Sequence, residues 1–304
     1  MKSDMKNIYE LTDVQINTFH QKGWVGPLDA FSVQEVDSVK KELEAISQIE
    51  LFGEKQVRTF QNSYFGIKTT INHHFACKSL SNLLTDRRIV HFLNQLGEEN
   101  LLLWRSNIFN RMPKQEGIDW HQAIEYYGTD VDETEAELIF PEGENIIDFV
   151  VWIALMDISP DMGLLNFANG SHQKKFQAIK APPEQGYYQE EKYYQAEAQS
   201  QHKEYSRSYD FNENEWEIES VPAVKAGQIV IFTPKVMHKA TYNATTQERW
   251  VVNGRYIRPS VKVHPQRLID DYRYEYGFDL KKHFCILVSG KDDSGLNQVV
   301  TKIQ

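Results

Sequence analysis

Apolar residues follow two different periods along this chain. Up to about residue 96 they recur every three or four positions, and from about 101 they come in short runs rich in β-branched and aromatic residues. The first pattern predicts helices. Leu11-Thr12-Asp13 opens one, with Thr12 or Asp13 as its cap, and Lys22-Gly23 closes it. A second begins after Ser32, with Val33, Val36, Val39 and Leu43 spaced for one buried face, and 80–96 forms a third helical segment. The second pattern predicts strands at 101–109, 146–157, 163–167, 217–224, 228–232 and 250–258.

Strands separated by irregular polar segments point to a mainly β fold, a double-stranded β-helix (jelly-roll, cupin-like) core with flanking α-helices. The expected organisation is one domain, with helices over 11–96 bracing a core over 101–265 and a C-terminal extension over 266–304. The segment 173–215 breaks the pattern: it is rich in Tyr, Gln, Glu and Lys, has little apolar periodicity, and reads either as a lid over a substrate or as a surface excursion. Its aromatic residues are Tyr187, Tyr188, Tyr193, Tyr194, Tyr205 and Tyr209.

Composition narrows the class. The 41% hydrophobic content supplies a core, no run approaches the roughly 18 apolar residues of a membrane span, and the polar start lacks the apolar stretch of a signal peptide, so a cytoplasmic protein is expected. Cys77 and Cys285 are too few for a disulfide framework and too far apart for a zinc site, and are expected to be reduced and buried. A net charge of −10 disfavours binding to nucleic acid. The same charge would repel an acidic partner, so docking of one would need a local basic patch. The stretch from Arg255 to Arg267 is the candidate, and a strand with a solvated charged face is the other reading of it.

Candidate chemistry centres on Trp120-His121-Gln122-Ala123. Non-haem Fe(II) oxygenases hold their metal with two His and one carboxylate, the first two ligands commonly spaced as His-x-Asp/Glu. In a strand, residues 121 and 123 would share a face, yet Ala123 cannot ligate. Its methyl group leaves a coordination position and one negative charge to be made up, which a small anion such as chloride would do. Alone, a His-x-Ala triplet is most often structural. His238 supplies the second His, after the turn-and-strand run Ala226-Gly227-Gln228-Ile229-Val230-Ile231-Phe232. Eleven residues on, Arg249 offers a guanidinium fork for a dicarboxylate cosubstrate, with Arg255 as its rival. His73-His74 would face opposite sides of a strand, and His20, His91, His202, His264 and His283 have no partner at ligand spacing.

The chain resembles the phytanoyl-CoA dioxygenase superfamily, and within it the Fe(II)/2-oxoglutarate halogenases of nonribosomal peptide pathways, the syringomycin-type threonine chlorinases among them. The likeness runs from Gly23-Trp24-Val25-Gly26-Pro27-Leu28 through Leu103-Trp104-Arg105, Trp120-His121-Gln122-Ala123, Gly163-Leu164-Leu165-Asn166-Phe167 and Gly170-Ser171-His172 to Met237-His238 and Arg255-Tyr256-Ile257-Arg258-Pro259-Ser260. It implies that His121 and His238 ligate Fe(II), that 2-oxoglutarate chelates the metal and reaches Arg249, that Trp152 belongs to the cosubstrate site, and that chloride sits beside Ala123 with Arg255 near halide and substrate. His172 is implied to hold a turn. The product would be a chlorinated aliphatic carbon on an amino-acid or acyl substrate, formed with O₂ in natural-product biosynthesis, the substrate carried by a phosphopantetheinyl protein or free.

Three departures bear on that assignment. Asn107 stands where the syringomycin-type enzymes have Glu, Val150 stands where they have Thr, and the interval from His238 to the arginines is two residues shorter. The residues leave two other readings open: Glu125 or Asp130 could swing in as the missing carboxylate of a hydroxylase, or the jelly roll could have lost catalysis and become a binding protein.

Overall fold

The computed structural model describes residues 9–123, 137–143, 148–181, 206–264 and 278–301. Thr12 caps the first helix, α1 (Asp13–Lys22), in a reciprocal box with Gln15, and Gly23 ends it in the left-handed conformation. Strand β1 (Trp24–Asp29) follows, then α2 (Val33–Ala45), capped by Ser32 with Glu35. Val36, Val39 and Leu43 are buried as their spacing predicts, but Val33 is 59% exposed, because the first turn of α2 overhangs the core.

A hairpin that the pattern did not reveal comes next, β2 (Ser47–Phe52) and β3 (Lys55–Asn62), followed by β4 (Ile67–Lys68). The third helical segment is two helices, α3 (Lys78–Leu84) and α4 (Arg87–Gln95). Asp86 divides them by accepting the Arg88 backbone N–H at 2.9 Å, so one apolar period spans a break and a fresh N-cap.

The remaining strands are β5 (Leu101–Ile108), β6 (Ile118–His121), β7 (Leu138–Ile139), β8 (Phe149–Ala154), β9 (Leu165–Ala168), β10 (Ala178–Ala181), β11 (Ser206–Tyr209), β12 (Ile218–Ser220), β13 (Gln228–Phe232), β14 (His238–Ala240), β15 (Val251–Ile257), β16 (Lys262–Val263), β17 (Cys285–Ser289) and β18 (Val299–Val300). Seven form a major sheet in the order β1-β13-β8-β15-β5-β17-β18, and four form a minor sheet in the order β12-β9-β14-β6. This is the jelly-roll arrangement expected from the sequence.

Alternation along the major sheet separates two cores. Phe149, Val151, Ile153, Ile229, Ile231 and Val252 face the helices, where they pack with Val36, Leu43, Leu84 and Leu93. Val150, Trp152, Ala154, Val230, Phe232 and Val251 face the other way and meet Leu165, Phe167 and Ala240 of the minor sheet. The helices therefore stiffen the outside of the sheet, and the gap between the sheets is where side chains of both converge. Cys77 and Cys285 are free and buried. No helix among the described residues is long and apolar enough to cross a membrane.

Candidate metal centre

His121 ends β6 and His238 begins β14, and the two are direct cross-strand partners in the minor sheet. Their rings lie 4.1 Å apart between centroids, at 49°. Both are buried. Each imidazole is oriented in the same way: Nδ1 of His121 meets the Asp119 carbonyl at 2.8 Å, and Nδ1 of His238 meets the Val236 carbonyl at 2.8 Å. A carbonyl can only accept, so each ring carries a proton on Nδ1, and the His238 backbone also hydrogen-bonds the His121 ring. Burial pushes the His238 pKa down to about 4, with the Arg255 charge adding to the effect. Burial, and then His238, lowers that of His121 further below its ordinary value. Two neutral imidazoles with matched tautomers and adjacent rings are a donor set that fits a divalent metal such as Fe(II).

The wall around the pair is aromatic. Phe232 lies 4.9 Å from the His238 ring and Phe167 6.0 Å from it, and Trp24 stacks on Phe167 at 4.8 Å. Such walls exclude water and keep the imidazoles neutral.

Ala123 is not on a strand with His121. The strand ends at His121 and the chain turns, so the alternation argument for residues 121 and 123 is corrected: Ala123 is held beside the pair by a turn, its N–H donating to the Pro234 carbonyl at 2.8 Å. Gln122 fixes that turn. Its fully buried amide donates to the carbonyls of Lys174 at 2.8 Å and Lys235 at 2.6 Å, and accepts from the Phe176 N–H at 3.1 Å. The Gln122 carbonyl also accepts from the Tyr209 hydroxyl at 3.1 Å. Gln122 thus ties the His121 strand to the loop before His238 and to both flanks of the Tyr-rich segment. Sequence reasoning passed over it, since its only signal is its place inside the motif.

Arg249 is buried just before β15, with its backbone bridged to Arg111. Its Nη1 donates to the carbonyl of Gly163. Gly163 adopts φ +86°, and a Cβ there would come within 2.5 Å of the Thr241 carbonyl, so only glycine lets the loop approach. Thr241 lies just past the end of β14, so Arg249 holds a loop that packs against the far end of the strand His238 begins. Arg255 acts on both histidines through its charge. Its register partners are Val150 on β8 and Arg105 on β5, while those of Asn253 are Trp152 and Asn107. Val150, Trp152, Asn107, Asn253 and Arg255 therefore occupy one face of the major sheet, turned toward the minor sheet. The two arginines are not equivalent: Arg255 sits within β15 on the face turned toward the minor sheet, and Arg249 lies just before that strand.

Other residues singled out in the sequence lie elsewhere. His73 and His74 belong to a buried 3-10 turn instead of a strand; His73 Nε2 bonds the Thr69 carbonyl and His74 Nδ1 the Ser106 hydroxyl, both at 2.7 Å. His264 and His283 are buried 5.1 Å apart, and His283 Nε2 bonds the Trp104 carbonyl at 2.9 Å. His172 Nε2 meets the His20 carbonyl at 3.2 Å, and the neighbouring Ser171 accepts the Met237 N–H at 2.8 Å, steadying the approach to His238. In the basic stretch, Arg255 faces inward and Arg258 is clasped by Glu98 at 2.7 and 2.9 Å. Residues 265–267, Glu125, Asp130 and all the named tyrosines of the Tyr-rich segment except Tyr209 lie outside the described residues. Among the described residues, no group of three or more His, Cys, Asp or Glu is arranged to hold a metal.

The fold has well-matched relatives among solved structures. The structure titled "CytC3 with Fe(II) and alpha-ketoglutarate" aligns over 96% of this chain and 93% of that one, at 22% identity and a TM-score of 0.65. The non-heme monooxygenase ThoJ aligns over 95% and 88%, at 17% identity and a TM-score of 0.63. The non-heme alpha ketoglutarate dependent epimerase SnoN from nogalamycin biosynthesis aligns over 83% and 85%, at 14% identity and a TM-score of 0.58. No curated protein sequence matches significantly. The family profile of phytanoyl-CoA dioxygenase (PhyH) matches residues 19–251, a span that contains both histidines, Ala123 and Arg249. The chain belongs to the phytanoyl-CoA dioxygenase family of Fe(II)- and 2-oxoglutarate-dependent oxygenases.

Proposed function

We propose that this oxygenase is a halogenase, which replaces an unactivated aliphatic C–H of an amino-acid or acyl substrate by C–Cl, the substrate carried on a phosphopantetheinyl protein, in natural-product biosynthesis. The observation that carries the reading is Ala123: a turn fixed by Gln122 sets a methyl group, in place of a carboxylate, next to a pair of imidazoles tuned for a metal.

Bound Fe(II) with 2-oxoglutarate and O₂ supplies hydrogen-atom abstraction and, with chloride on the metal, return of the halogen to the carbon radical. The balance is closed: R–H, chloride, a proton, 2-oxoglutarate and O₂ give R–Cl, succinate, CO₂ and water. His121 and His238 would hold the metal by Nε2. Arg249 would grip the distal carboxylate of a five-carbon diacid, with Trp152 lining the cosubstrate site. Arg255, whose charge acts on both histidines, favours an anion there. Phe167, Phe232 and Trp24 keep water away from the reacting carbon. The residues around the pair would decide the outcome by how they position the reacting carbon.

The test is an anaerobic titration of the Fe(II)–2-oxoglutarate protein with chloride, followed by the metal-to-ligand charge-transfer band. A saturable shift that disappears in Ala123→Asp is expected. A band indifferent to chloride favours a hydroxylase.

A further inference from the structure

The outer face of the minor sheet, behind the two histidines, carries a contact of its own. On β14, His238 and Ala240 point into the space between the sheets, so Lys239 between them points out. Trp120, the residue before His121 on β6, packs on that outer side against Phe211 at 5.0 Å, and the Lys239 ammonium lies over its ring at 4.6 Å. One carboxylate oxygen joins the two. Glu213 Oε2 accepts from Lys239 Nζ at 2.9 Å and from Trp120 Nε1 at 2.7 Å. The Lys239 and Trp120 bonds hold the Glu213 carboxyl below the usual carboxylate range, so it is charged at neutral pH.

Backbone pairing alone does not align the two strands here. His238 pairs with His121, but Ala240 pairs with Ile118, so two residues of β6 stand against Lys239 and the ladder is irregular immediately beside the pair. A bulge disrupts local pairing and re-aims side chains, which leaves the relation between the two imidazoles to be fixed by something else. An oxygen bonded to the chain neighbour of each imidazole does that. Core packing does not require Glu213. Its side chain is 49% exposed, and its turn is already capped by Asn212 and seated by Trp216 on Phe176 at 5.7 Å. Glu213 also lies on the arm that leaves β11, whose Tyr209 bonds the Gln122 carbonyl. Gln122 and Glu213 therefore tie one arm to the metal-bearing strands at two points.

We propose that Glu213 is a positioning residue of the metal centre: by joining Trp120 to Lys239 it sets the relation of His121 to His238 across the irregular ladder, so that both imidazoles are arranged for one metal before the metal arrives. This rests on the assignment of His121 and His238 as the metal site. Glu213 touches neither metal nor substrate. It acts through the two strands.

The experiment uses the full chain, wild type against Glu213→Ala, Glu213→Gln, Trp120→Phe, the double variant of Glu213→Ala with Trp120→Phe, and Glu215→Ala, which removes the same charge two residues away. Anaerobic titration with Fe(II), the visible spectrum of the Co(II) protein, melting temperature and amide exchange of the metal-free protein are measured on the same samples. In Glu213→Ala, Fe(II) binding is expected to weaken about threefold to tenfold, the Co(II) spectrum to change and the β6 and β14 amides to exchange faster, with the melting temperature close to wild type. Glu213→Gln keeps the acceptor and restores most of the affinity, while Glu215→Ala matches wild type. Trp120→Phe shows part of the loss, and the double variant loses no more than Glu213→Ala alone, because both act on one contact. Wild-type affinity and exchange in Glu213→Ala, an equal loss in Glu215→Ala, additive losses in the double variant, or a lower melting temperature with Fe(II) affinity unchanged would overturn the proposal. Failure of the wild type to bind Fe(II) would instead remove the metal-site assignment, and this role with it.

Discussion

Among the described residues the buried histidines fall into two groups, which differ in how their ring nitrogens are engaged. His121 and His238 sit between the sheets, while His73, His74, His264 and His283 sit under the β5 end of the major sheet. Burial is nearly the same in both, and burial depresses the pKa values of His238, His73 and His283 alike, to about 4. Burial and titration therefore do not distinguish them. What differs is which nitrogen the backbone occupies. In the first pair a carbonyl two residues back takes Nδ1 of both rings, and the rings are adjacent. In the second group carbonyls take Nε2 of His73 and of His283, and the hydroxyl of Ser106 takes Nδ1 of His74, so the imidazoles serve as cross-links. Neutral, buried imidazole is a shared resource, and the local carbonyl decides its use.

The largest contrast should come from deleting one ring in each group. His238→Ala should reduce Fe(II) affinity by about a hundredfold or more with melting temperature little changed, measured by anaerobic metal titration. His283→Ala should do the opposite, costing about 1–3 kcal/mol of stability by stranding the Trp104 carbonyl while Fe(II) affinity stays at the wild-type value. A loss of iron in His283→Ala would break the comparison.

Acid sharpens it next. His73 and His283 are neutral when folded down to about pH 4, whereas the unfolded chain protonates them near 6.5. Across that window the unfolded state binds more protons, so stability falls as pH drops from about 6.5 toward 4 and is insensitive to these groups above it. Each contributes at most ~1.4 kcal/mol per pH unit. Urea unfolding of the metal-free protein at pH 7 and pH 5 should show the loss, and His283→Gln should make the slope shallower.

The smallest expected effect concerns the clamp. Gln122→Leu removes three hydrogen bonds between the two His-bearing segments and the start of the Tyr-rich segment. Fe(II) affinity should fall about tenfold, less than for a ligand deletion, because the imidazoles remain and only their support loosens. Unchanged affinity with lowered stability would make Gln122 a fold residue alone.

Much of this was legible in the chain. The cap at Thr12, the face of α2 and the strand at 228–232 follow from local rules, since capping and periodicity act within one turn or one strand. The break at Asp86 was hidden because the apolar period continues through it. The hairpin at β2 and β3 was hidden because its exposed face breaks the apolar alternation, with Ile49 and Leu51 turned to solvent. At the site, His121, His238 and Arg249 could be proposed from spacing and resemblance, but not the tautomers, which depend on carbonyls two residues back. Nor could sequence show that Arg255 and Asn107 lie on the face of the major sheet turned toward the minor sheet, because that is a matter of strand register across 148 positions.

In the proposed centre two imidazoles, and no protein carboxylate, hold the iron. Iron K-edge X-ray absorption of the anaerobic Fe(II)–2-oxoglutarate protein in chloride buffer tests it most directly. Two imidazole scatterers and one chlorine at bonding distance are expected, with the chlorine lost in Ala123→Asp. A light-atom shell with no chlorine in the wild type, unchanged by that substitution, would contradict it.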